Sequence, residues 1–97
     1  MAAYTHESIT VADTAIGLTA ANIALATSLH GRNVKQVTMT VETAQIRCCW
    51  DGTTPTTTVG HIRNIGDVIE LDGADAAKFL AIRTGGTSGV LKCTFEV

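Results

Sequence analysis

Apolar and polar residues alternate with a period of two along much of this chain, and this alternation constrains its fold more than any other feature. The segment Val34–Glu42 has an apolar side chain at every second position from Val37, and the segment Val90–Val97 repeats the pattern. Because successive side chains of a strand point to opposite faces, such segments are typical of strands with one face in the core and the other in water. The chain therefore predicts β-structure.

Four more segments are predicted as short strands: Glu7–Val11, Gln45–Asp51, Asp67–Leu71 and Lys78–Thr84. The tight connection at Thr43-Ala44 predicts a hairpin between the strands on either side of it, with Trp50 as the largest contribution to the core. The glycine-rich segment Gly85–Gly89 predicts a flexible hairpin loop before the last strand. Seven or eight short strands at close, regular spacing predict an all-β sandwich or barrel.

Two segments are ambiguous. Ala15–Leu29 is rich in alanine and could be helical by propensity, but two short strands separated at Ala20–Asn22 suit an all-β chain better, and we predict these. Gly73–Ala77 can form one helical turn. Since 97 residues suffice for only one hydrophobic core, residues 1–97 are predicted to be a single domain.

Charged residues make up only 16% of the chain, compared with ~25% in average soluble proteins. A weakly charged surface of this kind favours a protein that is covered by partners. The net charge of −2 and the scattered basic residues argue against nucleic-acid binding. The N-terminal residues lack the pattern of a signal peptide, and no apolar stretch approaches the ~20 residues of a membrane span. We expect a protein made in the cytoplasm of its host and soluble there, without nucleic-acid or membrane contacts.

No group of residues predicts catalysis, a cofactor or a metal. His6, His30 and His61 lie in separate segments without the spacing of a metal motif. A zinc site formed by Cys48, Cys93 and His61 is conceivable, but both cysteines are expected on core-facing sides of strands, where a thiol packs as a small hydrophobic group. The chain also lacks a Gly-x-Ser-x-Gly turn and a glycine-rich phosphate loop. We therefore predict a protein that is not an enzyme.

The segment Asp51–Thr58 differs from the strands around it. Asp51-Gly52 is a turn signal, Pro55 cannot donate a strand hydrogen bond, and threonine occupies five of the six positions 53–58. Both a polar connection between strands and a contact surface fit this composition. The N-terminal residues Met1–Thr5 likewise fit either a frayed terminus or an arm that reaches a partner.

Six stretches of strand and turn residues form a recognisable pattern. They are Val41–Arg47, Trp50–Thr56, Val59–His61, Gly66–Leu71, Phe79–Gly85 and Ser88–Lys92. Together they resemble a group of short proteins encoded among the virion structural genes of tailed bacteriophages and prophages. The resemblance extends from about Val34 to the C-terminus, and earlier in the chain it is limited to Ile9–Val11 and Gly17–Thr19. The pair Cys48-Cys49 departs from it.

The resemblance implies a virion structural protein, and in particular a decoration or cement protein on the capsid surface. Such proteins are commonly small antiparallel β-sandwiches of jelly-roll or Greek-key type, and the expected partners are the major capsid protein and copies of the protein itself. The residues expected to contact a partner are Tyr4, Thr5, Thr53, Thr54, Pro55, Thr56, Thr57, Gly85, Gly86, Thr87 and Ser88. Two alternatives stay open, a small carbohydrate-binding β-sandwich module and a head–tail or tail component of the virion.

Overall fold

The computed structural model describes residues 3–18 and 34–96, and these two ranges contain eight strands and one short helix. The strands are β1 (Ala3–Val11), β2 (Ile16–Gly17), β3 (Gln36–Glu42), β4 (Ile46–Cys49), β5 (His61–Arg63), β6 (Val68–Asp72), β7 (Leu80–Arg83) and β8 (Gly89–Glu96). The helix, α1, is the single turn Gly73–Ala76, and the Asp72 carboxylate caps it by accepting a hydrogen bond from the Asp75 N–H. The predicted all-β fold with seven or eight short strands is confirmed.

The strands form two antiparallel four-stranded sheets, with the orders β1-β8-β3-β6 and β2-β7-β4-β5. Four of the six pairings join strands whose numbers add up to nine: β1 with β8, β2 with β7, β3 with β6, and β4 with β5. This pattern arises when one long antiparallel hairpin is wrapped into two sheets, and it is the topology of a jelly roll.

The predicted hairpin between the strands around Thr43-Ala44 is wrong. β3 pairs with β6 and β8 in the first sheet, whereas β4 pairs with β5 and β7 in the second. Thr43, with a φ of 76°, lies in the connection that crosses from one sheet to the other. The connection after Thr84 also changes sheets, because β7 and β8 lie in different sheets, so Gly85–Gly89 is not a hairpin loop. In a jelly roll most consecutive strands face each other across the core.

The core lies between the two sheets and consists of alternate residues of their strands, as the period-two pattern predicts. It includes Ile9, Val11, Val37, Met39, Val41, Ile46, Cys48, Ile69, Leu71, Phe79, Ala81, Leu91, Cys93 and Phe95. Trp50 is not the largest contribution to this core. Its side chain is half-buried and packs only against the margin of the cluster, while Phe95 and Met39 are the largest fully buried side chains in the part of the chain described.

Three further segments with predicted secondary structure can be compared with the structure. The strand predicted at Asp67–Leu71 is β6, and the helical turn predicted at Gly73–Ala77 is α1. Of the ambiguous segment Ala15–Leu29, Ile16–Gly17 forms β2, and the part from residue 19 lies outside the described residues. β5 was not predicted, because its three residues are too few to show an alternation.

The N-terminal arm expected at residues 1–5 needs correction. From Ala3 onward the chain belongs to β1, where Ala3 is paired with Glu96 and Thr5 with Phe95. The register shifts between these two pairs, so Tyr4 is an extra residue in the strand, as in a β-bulge. Met1 and Ala2 lie outside the described residues.

Candidate interaction surfaces

The connection between β4 and β5, residues 50–60, is called the Thr loop below. It contains five of the predicted contact residues, and the structure separates them by burial. Pro55 is fully buried, whereas Thr53, Thr54, Thr56 and Thr57 are exposed. Pro55 therefore anchors the loop to the protein, and the threonines around it form the surface that a partner can reach.

Arg47 on β4 holds the Thr loop in place. Its Nε donates a hydrogen bond to the carbonyl oxygen of Thr57 at 3.0 Å, and its Nη1 donates to the carbonyl oxygen of Gly60 at 2.8 Å. One planar guanidinium thus satisfies two carbonyl groups of the loop. Because Arg47 belongs to a strand paired on both sides, these bonds fix the loop relative to the second sheet.

Short side-chain bonds define the conformation of the loop itself. The Oγ1 of Thr56 accepts hydrogen bonds from the N–H groups of Thr58 and Val59, at 3.2 and 3.0 Å. The Asp51 carboxylate accepts one from the N–H of Thr53 at 3.0 Å. This contact from the Thr53 backbone is the main reason why the pKa of the Asp51 carboxyl is lowered. The loop is therefore structured by its own side chains, as polar turn residues allow.

Trp50 lies at the start of the Thr loop and stacks on His61 of β5. Their ring centroids are 4.7 Å apart and the planes differ by 22°. The guanidinium carbon of Arg63 lies 5.9 Å from the Trp50 ring centroid, within cation–π distance, while its buried Nε has no hydrogen-bond partner among the described residues. His61 and Arg63 are paired with the core-facing residues Cys48 and Ile46, so this cluster closes the sandwich next to the edge strand β5.

A small depression of about 100 Å³ adjoins this stack and is lined by Cys49, Trp50, Asp51 and His61. Within residues 3–18 and 34–96, no three side chains of the His, Cys, Asp and Glu types are grouped so that they could hold a metal ion. Cys48 and His61 are paired in register, but Cys93 does not join them in such a group, so the conceivable zinc set does not come together.

Burial also keeps two of the thiols protonated. It raises the pKa of Cys48 to about 11 and that of Cys93 to about 12. Buried and protonated, these thiols pack in the core as small hydrophobic groups. All three cysteines of the chain are free and buried.

The predicted contact residues 85–88 lie at the opposite end of the sandwich from the Thr loop. Thr84 donates a hydrogen bond to the Gln45 carbonyl oxygen, which places this connection beside the start of β4, whereas the Thr loop follows the end of β4. Gly85, Gly86 and Thr87 are exposed, and Ser88 is half-buried and accepts a hydrogen bond from Arg83.

Tyr4 and Thr5 lie in a third place. Ala3 is paired with Glu96, Glu96 with Gln36, and Gln36 with Asp72, which precedes α1. The start of β1 is thus level with the start of β3. The end of β3 leads through Thr43 into the start of β4, and the Thr loop follows the end of β4, so the Thr loop lies at the same end of the sandwich as the start of β1, but in the second sheet. The predicted contact residues thus form separate regions and not one site.

An apolar surface that was not predicted lies along the side formed by β5, β6 and the connection 64–67. Five large hydrophobic side chains are exposed in the described part of the chain, and four of them belong to this side: Val59, Ile62, Ile65 and Val68, between 43% and 63% exposed. Ile62 is paired with Arg47 and Val68 alternates with buried Ile69, so both point away from the core. We call these four residues the apolar strip.

Comparisons with protein-family models, with curated proteins and with solved structures found no match to this chain. No helix in the described part of the chain has the length and apolar character needed to span a membrane.

Proposed function

We propose that the protein is a structural component of a bacteriophage virion, a decoration protein that binds the major capsid protein on the capsid surface and has no catalytic role. The observation that carries this proposal is the apolar strip. Four of the five large hydrophobic side chains exposed in the described part of the chain lie on the side where the edge strands β5 and β6 are connected, each at least 43% exposed, and such a concentration exceeds the scattered apolar residues of an ordinary surface. Exposed apolar patches of this kind are typical of protein–protein contacts.

Two other features support the proposal. Val59 belongs both to the Thr loop and to the apolar strip, so exposed threonines border the hydrophobic side chains directly. A buried apolar centre with a polar rim is the usual organisation of a protein interface. The resemblance of residues 34–97 to small virion proteins, and the jelly-roll topology that such proteins often have, agree with this use of the surface.

Binding to particles that lack the protein tests the proposal. Purified wild-type protein should bind the capsid, and Ile62→Glu should bind at least about tenfold more weakly because it places a charge in a desolvated contact. Ile16→Glu is a matched control, since Ile16 is 41% exposed, compared with 43% for Ile62, but lies on β2. Copies per particle are counted by quantitative mass spectrometry, and cryo-electron microscopy locates them.

Equal binding of Ile62→Glu and the wild type would show that the apolar strip does not contact the capsid. Absence of the protein from native virions would contradict the virion role altogether. Density confined to a ring at the head–tail junction, or to the tail, would instead support the alternative that the protein is a head–tail or tail component of the virion.

A small carbohydrate-binding module is the second candidate, and the depression beside Trp50 favours it. Trp50 is half-buried, and the depression next to its ring has a carboxylate and an imidazole in its wall. Sugars bind to aromatic faces flanked by such polar groups. Titration with a panel of oligosaccharides, followed by Trp50 fluorescence, tests this candidate, and an unchanged spectrum at millimolar sugar contradicts it.

A further inference from the structure

Among the described residues, the first sheet has two long edge strands with no further strand paired beside them, whereas the edge strands of the second sheet are short. β1 and β6, at the margins of the order β1-β8-β3-β6, contain nine and five residues. The edge strands of the second sheet, β2 and β5, contain only two and three residues. Short edge strands offer few free backbone groups, whereas long ones can pair with another chain. Addition of a strand is therefore possible mainly at β1 and β6.

The directions of these two edges suit a second copy. β1 is antiparallel to β8, β8 to β3, and β3 to β6, so β6 runs opposite to β1. A copy shifted across the sheet without being turned over would place its β1 antiparallel to the β6 of the first molecule. Antiparallel pairing is the geometry already used throughout this sheet.

The two edges differ in charge on their outer face, because β6 is acidic and β1 is accompanied by a lysine of β8. On β6, the exposed residues Glu70 and Asp72 alternate with buried core residues. On β1 the exposed residues include His6 and Ser8, and the ammonium group of Lys92 on β8 donates a hydrogen bond to the Ser8 hydroxyl at 3.0 Å. This bond draws the Lys92 charge towards the β1 edge.

The register places these charges at matching heights. Ser8 is paired with Lys92, Lys92 with Thr40, and Thr40 with Val68, so these residues form one row across the sheet. The next row begins at His6 and ends at Glu70. When a second copy continues the rows, its His6 lies level with Glu70 and its Lys92 lies one row away. Because the Lys92 ammonium group is bonded to the Ser8 hydroxyl, it brings a positive charge to the strand that would lie beside Glu70, and this attraction favours the pairing.

We propose that copies of this protein associate head to tail, with the β1 edge of one molecule added to the β6 edge of the next. A two-fold pairing of β6 with β6 is disfavoured, because it brings Glu70 and Asp72 against carboxylates of the same kind. The interface is heterologous, so each molecule uses a different edge for each of its two neighbours, and growth continues unless a ring closes. This inference concerns the free protein and does not depend on the proposed function.

Charge-reversed variants test the inference by sedimentation velocity over a range of concentrations. Wild-type protein should self-associate, and 0.5 M salt should weaken the association because exposed charges are screened. Glu70→Lys and Lys92→Glu should each raise the dissociation constant at least about fivefold. The double variant, with the charges exchanged, should return to within about threefold of the wild type.

Two further variants control for net charge. Asp13→Lys and Lys78→Glu make the same changes of charge at exposed positions outside both edge strands, and they should associate like the wild type. Glu70→Gln is the milder variant to use if circular dichroism shows that Glu70→Lys does not fold. A mixture of the two single reversals should associate more strongly than either variant alone, because the intact β1 edge of Glu70→Lys meets the intact β6 edge of Lys92→Glu, and the two reversed edges carry exchanged charges as in the double variant.

Three results would overturn the inference. The first is a wild-type protein that stays monomeric up to about millimolar concentration, the range of weak contacts. The second is weakening by Glu70→Lys with no effect of Lys92→Glu, which indicates a two-fold contact through β6. The third is a double variant that associates as weakly as the single variants, which would show that residues 70 and 92 do not attract each other across the contact.

Discussion

Replacing Gly60 by alanine tests whether the Thr loop is held in one conformation by the strand beneath it. Gly60 has a φ of 118°, a conformation that residues with a side chain rarely adopt. A Cβ atom at this position would lie 3.1 Å from the Cys48 carbonyl oxygen and 3.3 Å from both the Cys49 Sγ and the Pro55 Cβ. The substitution therefore introduces backbone strain and also crowds three neighbouring groups.

A matched substitution separates these two effects. Gly52, at the other end of the loop, has a φ of 94°, and a Cβ there would meet no atom within 4 Å. Gly52→Ala should therefore cost only the backbone strain, about 1–3 kcal/mol. Gly60→Ala carries a similar strain and adds overpacking against Cys49 and Pro55, which typically costs about 1–3 kcal/mol. We expect Gly60→Ala to be the less stable of the two by at least about 1 kcal/mol.

Urea unfolding followed by far-ultraviolet circular dichroism measures this difference. In thermal unfolding, a difference of about 1 kcal/mol corresponds to roughly 4–8 °C for a domain of this size. If Gly60→Ala and Gly52→Ala unfold at the same urea concentration, Gly60 is not packed closely against Cys48, Cys49 and Pro55, and the fixed conformation of the loop is refuted. In that case the exposed threonines would be presented in many arrangements, which weakens their role in a contact.

Two further predictions concern the same region and the core. Arg47→Lys keeps the charge but cannot reach both loop carbonyls, so we expect a loss of about 1–2 kcal/mol in urea unfolding, and an unchanged midpoint would show that the two bonds to Thr57 and Gly60 add no stability. Because burial raises the pKa of Cys48 to about 11 and of Cys93 to about 12, the folded state keeps both protons while the unfolded state loses them above about pH 9. The free energy of unfolding should then fall as the pH rises, from about 9 to 11 through Cys48 and from about 9 to 12 through Cys93, by up to about 1.4 kcal/mol per pH unit for each thiol, and Cys48→Ala and Cys93→Ala should each reduce that slope. A slope that is equal in wild type and variants would exclude the buried thiols as its cause.

The strands of the core could be predicted from the sequence because burial on one face leaves a local trace. Val37, Met39 and Val41 are all at most 1% exposed, as their alternation predicts. The sequence does not show which strands pair with each other, because the same alternation is found when consecutive strands form a hairpin and when they lie in opposite sheets. The turn at Thr43 is short in either case, and the pairing of β3 with β8, whose paired residues are 48 to 60 positions apart, is decided by contacts across the whole chain.

The candidate surfaces were predicted less completely than the core. The Thr loop is visible in the sequence as a run of threonines, but the burial of Pro55 and the bonds from Arg47 depend on the fold. The apolar strip follows a spacing of three residues across a loop, a short strand and a turn, so neither the period of a strand nor that of a helix reveals it. Trp50 follows the alternation of β4 but comes after the last paired residue, which explains why it reaches only the margin of the core.

The two proposed contacts meet at one residue, and this determines how they can be separated. Val68 is part of the apolar strip and also lies on the β6 edge, two residues from Glu70. A change at Val68 therefore cannot tell capsid binding from self-association. Ile62 belongs to the strip but lies on the outer face of the second sheet, and Glu70 belongs to the edge but not to the strip. Ile62→Glu and Glu70→Lys should thus act on different contacts, and the failure of either proposal leaves the evidence for the other unchanged.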